Sequence, residues 1–274
     1  MAKRDMEIPG IDRDEELTVD VLKRQEKYFL DELDTIMKNA EKFDVIIRVI
    51  GSLAFRIKCP DYKYMEYENS RYLTDIDFIA YSADIVRVQD MFFDMGWEEN
   101  QAVLQMFGDK RRIFYHPSEP IHSDIFIDKL RFCHDIDFRH RLEIDYPTIS
   151  ITDLLLEKLQ IVEINKKDIV DSMMLLRQYP VSVNNEEKGH INCSYLEKLF
   201  ASDWGWHKTA MINIDKIIHF ADDYLESSDA DDIKAKLYMI RDCVSEAPKS
   251  MKWKMRSIIG ERIKWYREVE EVKR

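Results

Sequence analysis

Ile46-Ile47-Arg48-Val49-Ile50-Gly51-Ser52, followed after a gap by Thr74-Asp75-Ile76-Asp77-Phe78, is the stretch that decides the fold. The first run is rich in Val and Ile and stops at Gly-Ser, which predicts a buried strand turning straight into a helix. The second run has the alternation of a strand. Residues i and i+2 of a strand share a face, so Asp75 and Asp77 project together while Ile76 and Phe78 point into the core. Two carboxylates aligned on a rigid strand suit a divalent cation carrying phosphate groups. A Gly-Ser at a helix start offers backbone N–H groups and a hydroxyl to the same phosphates.

Working outward, residues 17–40 carry Val21, Leu22, Tyr28, Phe29, Leu33 and Ile36 at helical spacing, with Thr18 placed to cap them. A short helix is expected from Ser52 to Lys58, ending before Pro60. Residues 61–72 are polar and Tyr-rich and read as a loop. A strand over 74–81 is followed by a helix over 83–95, capped by Ser82 and stopped by Gly96. Two more strands, 111–116 and 121–128, are joined by Pro117-Ser118-Glu119-Pro120. After Pro147 nearly every segment reads helical: 152–164, 167–178, 193–202, 206–226, 230–245 and 250–270.

The chain has 274 residues, 45% of them apolar and 34% charged, enough for two domains of ordinary size with real cores. The four cysteines show neither zinc-ligand nor redox-motif spacing, so reduced thiols are expected. No apolar run reaches the length of a membrane span, and Met-Ala-Lys-Arg-Asp-Met-Glu lacks the apolar stretch of a signal peptide. A cytoplasmic protein without a membrane partner is expected. The net charge of −12 argues against a broad electrostatic grip on nucleic acid. That charge is uneven: residues 1–150 carry −10 and residues 151–274 carry −2.

A third carboxylate is needed to complete a two-metal phosphoryl-transfer site, and strand 121–128 supplies Asp124, with Ile125 and Ile127 on its opposite face. Asp124 is the candidate general base for an incoming hydroxyl as well as a metal ligand. Asp75 and Asp77 are the candidate ligands of the metal that bridges a triphosphate.

Gly51-Ser52, Asp75-x-Asp77 and a later strand carboxylate together resemble the nucleotidyltransferase superfamily, with its polymerase-β-like fold. Leu154-Leu155-Leu156-Glu157-Lys158 and Asn165-Lys166-Lys167-Asp168-Ile169-Val170-Asp171 extend the likeness to the bacterial branch that includes abortive-infection nucleotidyltransferase toxins. The resemblance covers roughly residues 44–178. It implies that Gly51 and Ser52 position the triphosphate, that Lys158 contacts phosphate, and that Asp168 supports the site. It also implies a Mg²⁺ (or Mn²⁺) cofactor. In the family the first aspartate follows the serine more closely; the extra residues here coincide with the insert 61–72, which is expected to overhang the pocket.

Several of these features have plainer readings. Asp-x-Asp recurs by chance in a chain with 53 acidic residues, as Asp135-Ile136-Asp137 shows. Lys158 on an apolar helix can simply snorkel to the surface. Asp168 and Asp171 suit the positive end of a helix dipole. Cys133, His134, His116, His122 and His140 suggest zinc by type, but an adjacent Cys and His cannot readily share one ion, and packing or surface roles are preferred. Lys252-Trp253-Lys254-Met255-Arg256, with Arg262, Lys264, Trp265 and Arg267, mixes cations with aromatics in a way that can bind RNA. At helical spacing, Trp253, Ile258, Ile259 and Trp265 more simply form a core stripe behind a solvated basic face.

The expectation is an α+β chain: a nucleotidyltransferase domain over 1–150, with a small mixed sheet, flanking helices and an N-terminal helix, then an all-helical domain over 151–274. Its expected activity is metal-dependent transfer of a nucleoside monophosphate from a nucleoside triphosphate to an acceptor hydroxyl. That acceptor is a tRNA or other RNA, a protein side chain or a small molecule. The alternative is a catalytically inactive relative that binds nucleotide or RNA.

Overall fold

The computed structural model describes residues 8–269. Residues 1–7, on which the absence of a leader was argued, and residue 270, the end of the last expected helix, lie outside them. The chain is a mixed α+β protein whose C-terminal region is helical. It divides into two units: Met1–Leu130 with Asp137–Ile149, and Arg131–Ile136 with Ser150–Arg274. No helix among the described residues is long and apolar enough to cross a membrane.

In the first unit, α1 (Val19–Lys42) starts where the Thr18 hydroxyl accepts the Val21 N–H, and it buries Leu22, Phe29, Leu33, Ile36 and Met37 along one stripe. There follow β1 (Ile47–Ile50), α2 (Gly51–Lys58), α3 (Tyr64–Glu68), β2 (Asp75–Ala80), a 3₁₀ turn (Ser82–Asp84), α4 (Ile85–Asp94), β3 (Glu98–Glu99), α5 (Gln101–Phe107), β4 (Arg111–Tyr115) and β5 (His122–Ile127). Two short strands, β6 (Lys129–Arg131) and β7 (Asp135–Asp137), lie where the chain crosses between the units.

Five strands form one sheet in the order β1-β2-β5-β4-β3. β2 and β5 run parallel, and the other neighbours are antiparallel. The register explains the alternation seen in the sequence. Val49 lies opposite Phe78, and Phe78 opposite Ile125, so these fully buried side chains form an apolar patch on one face, bordered by Ser123 and by Arg112, which lies opposite Ile125. Phe92 of α4 stacks on Phe114 of that face, with ring centroids 4.4 Å apart. The other face carries Asp75, Asp77, His122, Asp124 and Arg111.

Besides the short strands β3, β6 and β7, which were not expected, two elements depart from expectation. The insert 61–72 is not a polar loop: its middle is α3, which buries Met65, Glu66 and Tyr67. The Tyr67 hydroxyl and the Lys63 ammonium both donate to Glu26 of α1, and an ionic contact links Glu26 to Arg56 of α2. Tyr67, Lys63 and Glu66, which read as solvent-exposed, therefore fasten the insert to α1 and α2, while Tyr64 and Tyr72 stay exposed. The second departure is α5, a short helix capped by the Asn100 side chain, which accepts the Val103 N–H at 3.0 Å.

The second unit is not all-helical as expected: it comprises α6 (Ile151–Leu159), α7 (Lys166–Gln178), β8 (Val181–Ser182), β9 (Ile191–Asn192), α8 (Cys193–Ser202), α9 (Trp204–Tyr224), α10 (Ser227–Glu246), α11 (Met251–Ile259) and a final 3₁₀ turn (Gly260–Arg262), and β8 pairs with β9 in a small parallel sheet. All nine residues of α6 are buried, polar ones included, as befits a helix enclosed on every side. Met173, Leu175, Leu196, Phe200, Ile214, Ile217, Leu237 and Ile240 fill the core with it. α11 buries none of its residues, and Ile258 is 82% exposed, so the core stripe expected over 253–265 does not form. The helix is held from its other side. Trp253 meets His207 edge-on at 5.3 Å, and the Arg256 guanidinium lies 4.7 Å from the centre of the Trp204 ring.

Candidate functional site

The candidate site occupies the polar face of the sheet, where β1 ends and β2 begins. Ile50, the last residue of β1, lies opposite Asp77. The chain leaves β1 through Gly51, whose φ of +68° favours glycine. A Cβ on Gly51 would lie 3.1 Å from Asp77 Oδ2. Both conformation and space therefore require glycine here, and its bare backbone faces a carboxylate at the start of α2.

Asp75 and Asp77 lie on one face of β2, with Ile76 and Phe78 fully buried on the other. Parallel pairing sets Asp124 opposite Asp77 and His122 opposite Asp75. With neighbouring strands about 4.8 Å apart, three carboxylates share one small area of the sheet. They are not equivalent. Asp124 is buried and held by a guanidinium fork from β4: Arg111 Nε donates to Oδ1 at 3.0 Å and Nη2 to Oδ2 at 2.6 Å. Arg111 also lies 5.2 Å from the centre of the Phe126 ring. Asp75 is more accessible, and His122 Nε2 approaches its Oδ2 to 3.5 Å.

Ser52 has a partner that does not come from the strands. Arg71 Nη2 donates to Ser52 Oγ at 2.7 Å, while Arg71 Nη1 lies 3.2 Å from Glu66 Oε1. Glu66 in turn accepts from Arg56 Nε at 2.5 Å. A second arm of Arg56 donates to the Arg71 carbonyl at 2.5 Å.

Lys158 and Asp168 belong to the second unit. Lys158 does not snorkel. Its ammonium is buried between Asp168 Oδ1, at 3.1 Å, and Asp171 Oδ2, at 2.8 Å. Asp168 is also the third residue of a capping box: the Asn165 side chain accepts its N–H, and its own carboxylate accepts the Asn165 N–H. His134 is likewise committed to packing, with its Nε2 2.8 Å from Thr209 Oγ1 and its ring stacked on Trp206.

Among the described residues no group of three or more His, Cys, Asp or Glu side chains is disposed to hold a metal ion. At the sheet, Arg111 occupies both oxygens of Asp124. Asp75 and Asp77 remain as a two-carboxylate face, with Gly51 close against Asp77. Mg²⁺ is usually bound by one or two carboxylates, with substrate phosphates and water completing the shell. These two residues fit that description.

Three residues of the site were missed in the sequence. His122 was within reach, since it precedes Asp124 by two and must share its face. Arg111 and Arg71 were not, because their partners depend on the β4–β5 register and on the fold of α3. Compared with protein-family models, with curated proteins and with solved structures, the chain matches none.

Proposed function

We propose that the first unit is a metal-dependent nucleotidyltransferase of the polymerase-β-like kind, resembling the abortive-infection branch. It would move a nucleoside monophosphate from a nucleoside triphosphate to an acceptor hydroxyl on RNA, a protein or a small molecule. The observation that carries this is the register. Asp77 lies opposite Asp124 on a parallel neighbour, and the Gly51-Ser52 turn stands directly over Asp77.

Asp75 and Asp77 would hold Mg²⁺ or Mn²⁺, which when bound would supply positive charge to offset that of the triphosphate. Gly51 lets the backbone approach the phosphates, and the Ser52 hydroxyl donates to one of them. Asp124 accepts the proton of the acceptor hydroxyl once Arg111 gives up one of its oxygens. Lys158 and Asp168 have no step in this scheme.

The fork of Arg111 on Asp124 also favours a second reading, a relative that binds nucleotide or RNA without transfer, since the guanidinium occupies both oxygens that an acceptor hydroxyl would have to approach. Incubation with each labelled nucleoside triphosphate, Mg²⁺ and total RNA or protein separates the two. Transfer predicts a labelled acceptor and released pyrophosphate. Bound nucleotide with no pyrophosphate from any acceptor pool supports the binding protein and overturns the transferase.

A further inference from the structure

We propose that Arg71 is the specificity-determining residue that makes the site select a triphosphate over shorter phosphates, an inference that rests on the nucleotidyltransferase reading. Arg71 is the last residue but one of the insert 61–72 and precedes Asp75 by four residues. One arm of its guanidinium reaches Ser52 Oγ and the other faces Glu66. Ser52 is the second residue of α2, whose first residue stands over Asp77. Arg71 thus delivers a permanent cation to the place where the phosphates beyond the metal would lie.

The support beneath Arg71 is more than a surface contact requires. Glu66 and Arg56 are both fully buried, and they fix Arg71 at two points: Glu66 at the guanidinium, Arg56 at the main-chain carbonyl. Glu26 of α1 in turn binds Lys63 and Tyr67 on either side of that carboxylate in sequence. An arginine held in this way loses little side-chain freedom when it meets a ligand. Its planar fork matches two phosphate oxygens at once, as the flexible ammonium of a lysine does not.

The chemistry follows from charge. A monophosphate bridged to the Asp75–Asp77 face needs no further cation. Each added phosphate brings negative charge that the carboxylates of β2 and β5 repel. A fixed guanidinium at Ser52 offsets it in a partly buried setting, where such a contact is strong. Arg71 would then exchange its bond to Ser52 Oγ for phosphate oxygens, and the freed hydroxyl would donate to the phosphates as well.

A merely structural Arg71, fastening α3 to α2, predicts something else. Its loss would loosen the turn and weaken every nucleotide to the same degree. The test is calorimetry on the full chain with Mg²⁺ and ATP, GTP, CTP or UTP, then with the di- and monophosphate of whichever binds most tightly. In the wild type, affinity should fall at each phosphate removed. Arg71→Ala should weaken the triphosphate by roughly tenfold to a hundredfold, the scale of one charge-assisted contact, and the monophosphate by less than about threefold. Arg71→Lys keeps the charge toward Glu66 and guards against a folding defect; it should keep the wild-type melting temperature yet weaken the triphosphate severalfold. Equal loss for all three nucleotides, or an unchanged triphosphate preference in both variants, overturns the inference while leaving the transferase reading intact. A wild type that binds no triphosphate with Mg²⁺ overturns both.

Discussion

Arg111 grips both oxygens of Asp124, the residue that faces Asp77 across the parallel β2–β5 pair. One member of an apparently like-charged trio is therefore neutralised from a third strand, and removing each carboxylate should have a different effect on folding.

Asp124→Ala leaves the Arg111 guanidinium, about five-sixths buried, without its carboxylate. Losing one partner of a buried pair costs about 3 kcal/mol or more. Urea unfolding should show that loss, and Arg111→Met in the same background should recover part of it. Asp75→Asn, on a more accessible side chain, should change stability by less than about 1 kcal/mol. Both Asp75→Asn and Asp77→Asn should abolish transfer. Equal stability of Asp124→Ala and the wild type would mean that the fork contributes little.

At Gly51 two effects combine. Its φ of +68° penalises any side chain, and a Cβ would press on Asp77 Oδ2 at 3.1 Å. Gly51→Ala should lose about 1–2 kcal/mol of stability and should bind Mg²⁺-triphosphate more weakly than Ser52→Ala does. Ser52→Ala removes one hydrogen bond, worth roughly 1–2 kcal/mol. Calorimetric affinities of the two variants check the order, and the reverse order would assign the turn a structural role alone.

The strands and most helices were legible because their signal is local. β1, β2 and β5 announce themselves by Val, Ile and Phe at alternate positions, and the same alternation places Asp75, Asp77 and Asp124 on one face. Partners set by tertiary pairing were not legible. Arg111 reaches Asp124 only because Ile113 lies opposite that aspartate, which brings the residue two positions earlier within reach. Glu66 reads as a surface charge until Arg56 and Arg71 close on it. α11 misled for a related reason. Its helical spacing is real, but the bundle takes the Trp253 and Arg256 side, and Met251, Met255 and Ile258 face outward.

Metal and nucleotide should act together. The Asp75–Asp77 face repels a triphosphate until a cation lies between them, so Mg²⁺ plus a nucleoside triphosphate should raise the melting temperature more than the two separate effects combined. Asp77→Asn should abolish that synergy while still folding. A triphosphate shift that is independent of Mg²⁺ would remove both aspartates from the metal site.

The second unit should weaken in mild acid, and two histidines give the sign. Burial pushes His134 down to about 4. It does the same to His207, with Lys249 and Lys208 adding repulsion of the charged ring. Both rings are therefore neutral in the folded protein at pH 5–7, while in the unfolded chain they take up protons below about 6.5. The unfolded state then binds more protons, so stability is intact above pH 6.5 and falls as pH drops toward 4, by at most about 1.4 kcal/mol per pH unit for each histidine. Four of the five tryptophans, Trp204, Trp206, Trp253 and Trp265, lie in this unit, so fluorescence-detected urea unfolding reports mainly on it. The midpoint should be lower at pH 5 than at pH 7.5. His134→Gln combined with His207→Gln removes both titrating rings, and the difference between the two pH values should shrink even though the variant starts from lower stability. A double variant that keeps the full wild-type pH dependence would assign the acid sensitivity to the carboxylates instead.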